Sequence, residues 1–312
     1  MALAPAFHGA FDRLAMWAED RVARPPEPWR PGPDHPLEAF GPVPPAPDPP
    51  GAPGRWRFPS APWGGPPGDE VTVDLHAARG PRRGTALLVP PWKVPGRWPL
   101  RGWIGRLAAG GLEVWLVVPP HHLGRAGPGR RGGEASIGND LGAVRETLAR
   151  TVRELRALAA AAARRGPVGA VGLSLGALAA AHAATAPERL DFAVLVAPPA
   201  DLYRTWEGTA IGARYRRLAE RAGAPLPAGP ELRARLERLS PAGRRPTARR
   251  LLVAAGRFDA IVPPEGPAEL ARAWGLAPRL YPRGHLTLLL ACRALRREAA
   301  ALARQAVAAA GS

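Results

Sequence analysis

Ser174 lies in the pentapeptide GLSLG, flanked by Gly172 and Gly176, where an apolar run meets an alanine-rich stretch. Asp259 follows the run RLLVAAGRF, and His285 follows YPRG. A serine hydroxyl is a weak nucleophile at neutral pH. It needs an imidazole to take its proton and a carboxylate to orient that imidazole. Ser174, His285 and Asp259 together would attack an acyl carbonyl and pass through a covalent acyl-enzyme. That chemistry requires no metal or cofactor, and none is expected.

Such residues must be carried to one place by the elements around them. VGAVGLS (168–174) reads as a buried strand and LGALAAAHAATA (175–186) as a helix, so Ser174 sits on the seam. A sharp strand-to-helix turn crowds positions i−2 and i+2, which favours glycine at 172 and 176. The same turn aims the first helical N–H groups at whatever the serine attacks, so Leu175 N–H is a natural oxyanion donor. The flanking pattern is alternating. Strands are expected at 71–77, 85–91, 112–120, 190–199, 250–259 and 278–284. Helices are expected at 99–111, 138–165, 263–275 and 286–309. Strands alternating with helices imply parallel pairing with right-handed crossovers. Residues 200–249 interrupt the alternation and are expected to form a small helical cap. In an open parallel sheet the carboxyl edge carries the site, and Ser174, Asp259 and His285 all fall there.

GLSLG (172–176), GRFDAIVPP (256–264) and YPRGH (281–285), in this order and context, resemble the α/β-hydrolase superfamily. The resemblance covers about residues 70–310. It implies a mostly parallel central sheet with helices on both faces and a Ser174–Asp259–His285 triad at a nucleophile elbow. It also implies an oxyanion hole whose second donor follows the strand at 85–91. Here that turn is VPPWKVP, and prolines at 90 and 91 have no N–H. The donor falls to Trp92 or Lys93, and Trp92 is assigned as the pocket wall. Asp201, after the strand at 190–199, is the alternative acid. His121 and His122 end a strand in VVPPHHLGR. Adjacent histidines point apart, so a paired metal role is disfavoured; substrate contact or loop structure is expected, with His121 assigned to substrate contact. His182 is expected to be a packed imidazole. Glu134 and Asp140 are expected near a helix N-terminus.

The first 69 residues play no part in the resemblance, and the division expected is 1–69 and 70–312. Phe7, Phe11, Leu14, Ala18 and Val22 form one helical stripe that is expected to pack on its own domain. Seventeen of the forty prolines lie in 24–68, where regular helix or central strand is excluded. Trp29, Phe40, Trp56, Phe58 and Trp63 punctuate this stretch, so an irregular arm over the body is expected rather than a disordered linker.

Composition narrows the class. The net charge is +17, yet the arginines are scattered and two of the denser runs lack aromatics, so nucleic-acid binding is not expected. Cys292 is the only cysteine, which excludes an internal disulfide and a cysteine metal cluster. Charge interrupts every apolar tract before 18 residues, so stable membrane insertion is not expected, and a cytoplasmic location is. The partner expected is a small-molecule acyl substrate. Serine at the nucleophile position argues against haloalkane and polyester synthase chemistry. Ester, thioester and amide hydrolysis and acyl transfer share the same intermediate and stay open. The alternative is a catalytically silent binding or scaffold protein on the same fold. Oligomeric state is not legible.

Overall fold

Among the described residues eight strands, the central ones rich in branched and apolar residues, pair into one sheet, and the segments between them supply its two covers. The computed structural model describes residues 5–20, 30, 32, 37–128, 130–221, 223 and 229–310. Val22 and Trp29 fall outside the described residues. The strands are β1 (Gly54–Pro59), β2 (Glu70–His76), β3 (Gly84–Val89), β4 (Leu112–Val118), β5 (Val168–Leu173), β6 (Phe192–Val196), β7 (Arg250–Gly256) and β8 (Arg279–Tyr281). Their order is β1-β2-β4-β3-β5-β6-β7-β8. β1 and β2, and β2 and β4, pair antiparallel; every other neighbour is parallel.

Every residue of β3, β5 and β6 is buried, as a sheet covered on both faces requires. Alternate residues feed two cores. Leu87, Val89, Ala170 and Leu195 face α3 (Leu141–Ala163), α4 (Leu175–Ala183) and α8 (Glu265–Ala273). Leu88, Val171, Leu173 and Val194 face α2 (Arg101–Ala108), α9 (His285–Ala291) and α10 (Arg293–Ala310). The helix expected over 286–309 is two helices, broken at the buried Cys292 between α9 and α10. Three helices, α5 (Leu202–Glu207), α6 (Ala210–Arg221) and α7 (Pro230–Glu237), fill the interruption between β6 and β7.

The proline-rich stretch supplies an edge strand. β1 ends at Pro59, where a missing N–H is tolerated on an outer strand. Trp56, Phe58 and Trp63 are buried against the body. Arg156 on α3 donates to the carbonyl oxygens of Ala39 and Gly41, and Trp63 Nε1 donates to Pro44 O at 2.9 Å. The Arg156 bonds hold the described part of the arm to α3, and the Trp63 bond ties the arm to itself.

A buried charge cluster joins the arm, the sheet and α3. Arg125, just past β4, donates to both Glu154 oxygens at 2.7 and 2.8 Å and to Asp69 Oδ2 at 2.7 Å. Ser60 Oγ donates to Glu154 Oε1 at 2.7 Å. Burial penalises the Arg125 charge, but bonds and attraction from Glu154 and Asp69 outweigh this and hold its pKa above the ordinary value.

α1 (Pro5–Asp20) is helical as expected, but the expected stripe is not the packed face. Phe7, Phe11 and Leu14 are 45%, 41% and 58% exposed, and Ala18 is also exposed. His8, Gly9, Asp12 and Met16 are buried instead. Polar bonds from Asp12 to the body select this face, and Met16 joins Ile211, Tyr215, Ile261 and Val262 in a small satellite core.

Removing one partner of a buried ion pair strands the other charge. Glu154→Gln is expected to lower unfolding free energy by about 3–5 kcal/mol, read from the urea midpoint at unchanged m-value.

Candidate active site

The turn at Ser174 is strained and is held by close packing. Ser174 adopts φ 52°, ψ −119°, uncommon for a residue with a side chain. A Cβ on Gly172 would lie 2.5 Å from Gly176 O, and one on Gly176 would lie 2.5 Å from Val89 O and Pro90 O. Both approaches are to backbone, which does not yield, so these positions exclude any side chain. The first turn of α4 is thereby pressed onto the carboxyl end of β3, which brings the VPPWKVP turn beside Ser174.

His285 Nε2 lies 2.9 Å from Ser174 Oγ, and His285 Nδ1 lies 2.7 Å from Asp259 Oδ2. Ser174, Asp259 and His285 are 7%, 7% and 4% exposed. The second Asp259 oxygen accepts from the Ile261 and Val262 N–H groups at 2.9 and 2.7 Å, which fixes the carboxylate. A proton on Nδ1 facing Asp259 leaves the Nε2 lone pair towards the serine. Burial disfavours the imidazolium, but the charge and hydrogen bond of Asp259, and then the charge of Asp12, outweigh it. The net effect holds the His285 pKa above its ordinary value of 6.5.

Ser174 and His285 border a cavity, and Asp259 meets His285 without lining it. Ser174, His285, Leu175 and Trp92 line a cavity of about 340 Å³. Leu175 is the first residue of α4, so its N–H has no partner four residues back. Trp92 is half-buried, and its Nε1 donates to Gly133 O at 2.7 Å. His122, not His121, lines the cavity. His121 instead faces the charges of Arg150, Asp69 and Arg125, and it sits at φ 64°. Its assignment to substrate contact therefore has no geometric support. His122 is 2% exposed, and burial pushes its pKa down to about 4.

The rival groups are placed elsewhere. Asp201 caps α5 by accepting from Arg204 N–H at 2.8 Å. Asp140 caps α3 through Ala143 N–H at 2.9 Å, and Glu134 accepts from Arg131 N–H in the preceding turn. His182 is a packed imidazole bonded to Leu239 O at 3.0 Å, its pKa pushed by burial down to about 4. Among the described residues no cluster of His, Cys, Asp or Glu could hold a metal ion, and no helix is long and apolar enough to cross a membrane.

Sequence reasoning missed Asp12. Its carboxylate accepts from the His285 N–H at 2.7 Å, the Leu286 N–H at 3.0 Å and the Ala260 N–H at 3.3 Å. The available signal was His8 and Asp12, four apart on one helical face in FHGAFDR.

A family described as serine hydrolase matches residues 144–289, a stretch holding Ser174, Asp259 and His285. No curated protein sequence matches the chain. Among solved structures, the Pyrococcus furiosus esterase Pf2001 is similar at TM-score 0.52 and 16% identity, over 76% of this chain and 87% of the other. A puromycin-hydrolysing peptidase of Mycobacterium tuberculosis is similar at TM-score 0.55 and 18% identity, over 83% of this chain and 39% of the other. An acylaminoacyl peptidase of Pyrococcus horikoshii is similar at TM-score 0.50 and 13% identity, over 80% and 39% respectively. The chain thus spans about two fifths of the length of these peptidases. The sheet order, helical layers and these likenesses define an α/β-hydrolase fold.

In histidine-edited NMR, His285 is expected to titrate above 6.5. Asp259→Asn removes its nearest negative charge and is expected to lower that midpoint.

Proposed function

We propose that this chain is a serine hydrolase that cleaves a carboxylic ester or related acyl bond. The observation that carries the reading is the hydrogen-bonded series Ser174–His285–Asp259 opening into an apolar cavity. Ser174 Oγ attacks the carbonyl carbon while His285 Nε2 takes its proton. Leu175 N–H and Trp92 N–H receive the oxyanion. His285 then gives the proton to the leaving alcohol, and the C–O bond breaks. Water attacks the acyl-enzyme, its proton passing through His285 back to Ser174 Oγ, and the acid leaves. Asp259 holds the imidazole and stabilises its cation.

The cavity supports an apolar acyl group. Its walls include Val94, Leu148, Leu178, Ile211 and Leu236. Among the described residues that line it, Lys93 is the one with a full charge and no carboxylate is present. Burying a cationic acyl substituent there would go uncompensated, whereas each methylene buried contributes about 0.8 kcal/mol. Against the silent-scaffold alternative, Ser174 lines the cavity rather than lying sealed beneath it.

Labelling by a fluorophosphonate probe is the direct test. Wild type is expected to label, Ser174→Ala is expected not to, and that variant's ester hydrolysis is expected to fall by roughly 10⁴- to 10⁶-fold. A folded wild type that neither labels nor cleaves esters would return the weight to a scaffold.

With p-nitrophenyl esters, kcat/KM is expected to rise from acetate towards octanoate by up to about fourfold per methylene. Val144→Trp, which fills the cavity from α3, is expected to remove the gain for long chains and spare acetate. A flat chain-length profile would overturn the apolar-acyl reading.

A further inference from the structure

His285 stands between two carboxylates, and the proposed chemistry uses only one of them. Asp259 meets the imidazole. Asp12, from the buried face of α1, meets the backbone. Its Oδ2 accepts from the N–H of His285 at 2.7 Å and of Ala260 at 3.3 Å, while its Oδ1 accepts from Leu286 N–H at 3.0 Å. Ala260 is the residue after Asp259. One side chain therefore ties together the two loops that carry the acid and the base. Asp12 is 0% exposed, so this is a built contact rather than a surface encounter.

The surroundings are shaped for it. A Cβ on Gly284 would lie 2.6 Å from Asp12 Oδ2 and 2.8 Å from His8 O, so glycine here is what lets α1 approach the His285 loop. Gly284 has φ −85°, a backbone that alanine adopts freely, so the need is for space. His8, one turn before Asp12, bonds Thr287 Oγ1 at 2.9 Å and stacks on Phe258, adjacent to Asp259, at 6.1 Å. Met16, a turn after Asp12, packs with Ile261 and Val262, whose N–H groups hold Asp259. Three successive turns of α1 thus touch the Asp259 and His285 loops.

From this geometry we infer that Asp12 is a positioning residue of the active site, which sets both the place of His285 and the readiness of its imidazole to hold a proton. The inference rests on the hydrolase reading for its kinetic consequence but not for its structural one. Neutral amide hydrogen bonds would fix the loop; a carboxylate adds a negative charge close to the imidazolium that forms when Ser174 gives up its proton. The charged groups facing His285 are Asp259 from the loop after β7 and Asp12 from α1. His8 on α1 feels the charges of both Asp12 and Arg283. Burial pushes Asp12 above its ordinary range, opposed by the bonds from Leu286 and His285.

Three variants decide it. Asp12→Asn keeps the shape, removes the charge and turns one N–H acceptor into a donor. Gly284→Ala keeps the charge and pushes α1 away. Phe11→Ser, on the exposed face of α1, controls for changes in the helix itself. Each is measured by thermal melt, by hydrolysis of p-nitrophenyl butyrate across pH, and by NMR titration of His285. Asp12→Asn is expected to lower kcat roughly 10- to 100-fold at near-constant KM, as for a catalytic group displaced by a fraction of an ångström. The His285 midpoint, and with it the acid limb of kcat/KM, is expected to move to lower pH, because a lost negative neighbour disfavours the imidazolium. Gly284→Ala is expected to move both quantities the same way, and Phe11→Ser neither. Should Asp12→Asn fail to give a cooperative melt, Gly284→Ala carries the test. Wild-type kcat and an unmoved His285 midpoint in the folded variants would overturn the inference and leave Asp12 a structural tie. If wild type itself neither labels nor hydrolyses, the hydrolase reading fails, and the NMR midpoint still decides whether Asp12 acts on His285.

Discussion

The strained turn at Ser174 is the constraint around which the rest of the molecule is arranged. A side-chain-bearing residue at φ 52° costs conformational energy and persists only where its surroundings over-determine it. Here they do. Gly172 lets α4 fold back onto the end of β5, and Gly176 lets α4 press onto the end of β3. The central strands β3, β5 and β6 are wholly buried, so the platform under the turn has no slack. The result is a hydroxyl lifted off the sheet edge with a helix start behind it, in the one place where a histidine from beyond β8 and an aspartate from beyond β7 can converge.

The site is assembled by long-range contacts of unusual reach along the chain. His285 is 111 residues from Ser174, and Asp12 is 273 residues from the backbone N–H it accepts. The N-terminal segment is woven in at two further points. β1 extends the antiparallel edge of the sheet, and Ser60 and Asp69 enter the buried cluster around Arg125 and Glu154. Trp56, Phe58 and Trp63 anchor its later part by apolar burial, whereas polar contacts decide how α1 lies. The α1 face that packs is the one bearing His8 and Asp12, and the face bearing Phe7, Phe11 and Leu14 is left exposed. Burying a carboxylate is costly unless its hydrogen bonds are met, and three backbone N–H groups meet them here.

Much of this was legible in the sequence, for physical reasons tied to particular residues. GLSLG between an apolar run and an alanine-rich stretch specifies a strand-to-helix turn, because both glycines are demanded by local sterics. β3, β5 and β6 are short continuous apolar runs, so their burial shows in composition alone, whereas the edge strand β1, mostly exposed and within the proline-rich stretch, left no such signal. Asp259 and His285 were legible by their places after strands, and VPPWKVP placed Trp92 at the cavity. His121 was misplaced because two adjacent histidines have no periodic signal to say which turns inward, and the backbone at φ 64° decides it. The packed face of α1 was misread because an apolar stripe is taken to seek the core, whereas a pair of polar residues with fixed partners outweighed it.

Taken by itself, the sequence determined what depends on neighbours along the chain: the alternation of strand and helix, the turn at Ser174, the order of Ser174, Asp259 and His285, and the edge of the sheet on which they fall. Tertiary structure alone decided what depends on residues far apart. It brought Asp12 against the two loops that carry Asp259 and His285, turned His122 rather than His121 to the cavity, closed Arg125 between Glu154 and Asp69, and split the last helix at Cys292. Local sterics and periodicity act over a few residues and leave a signature there. A hydrogen bond across 273 residues leaves none, because its donor and acceptor meet only once the whole sheet has formed.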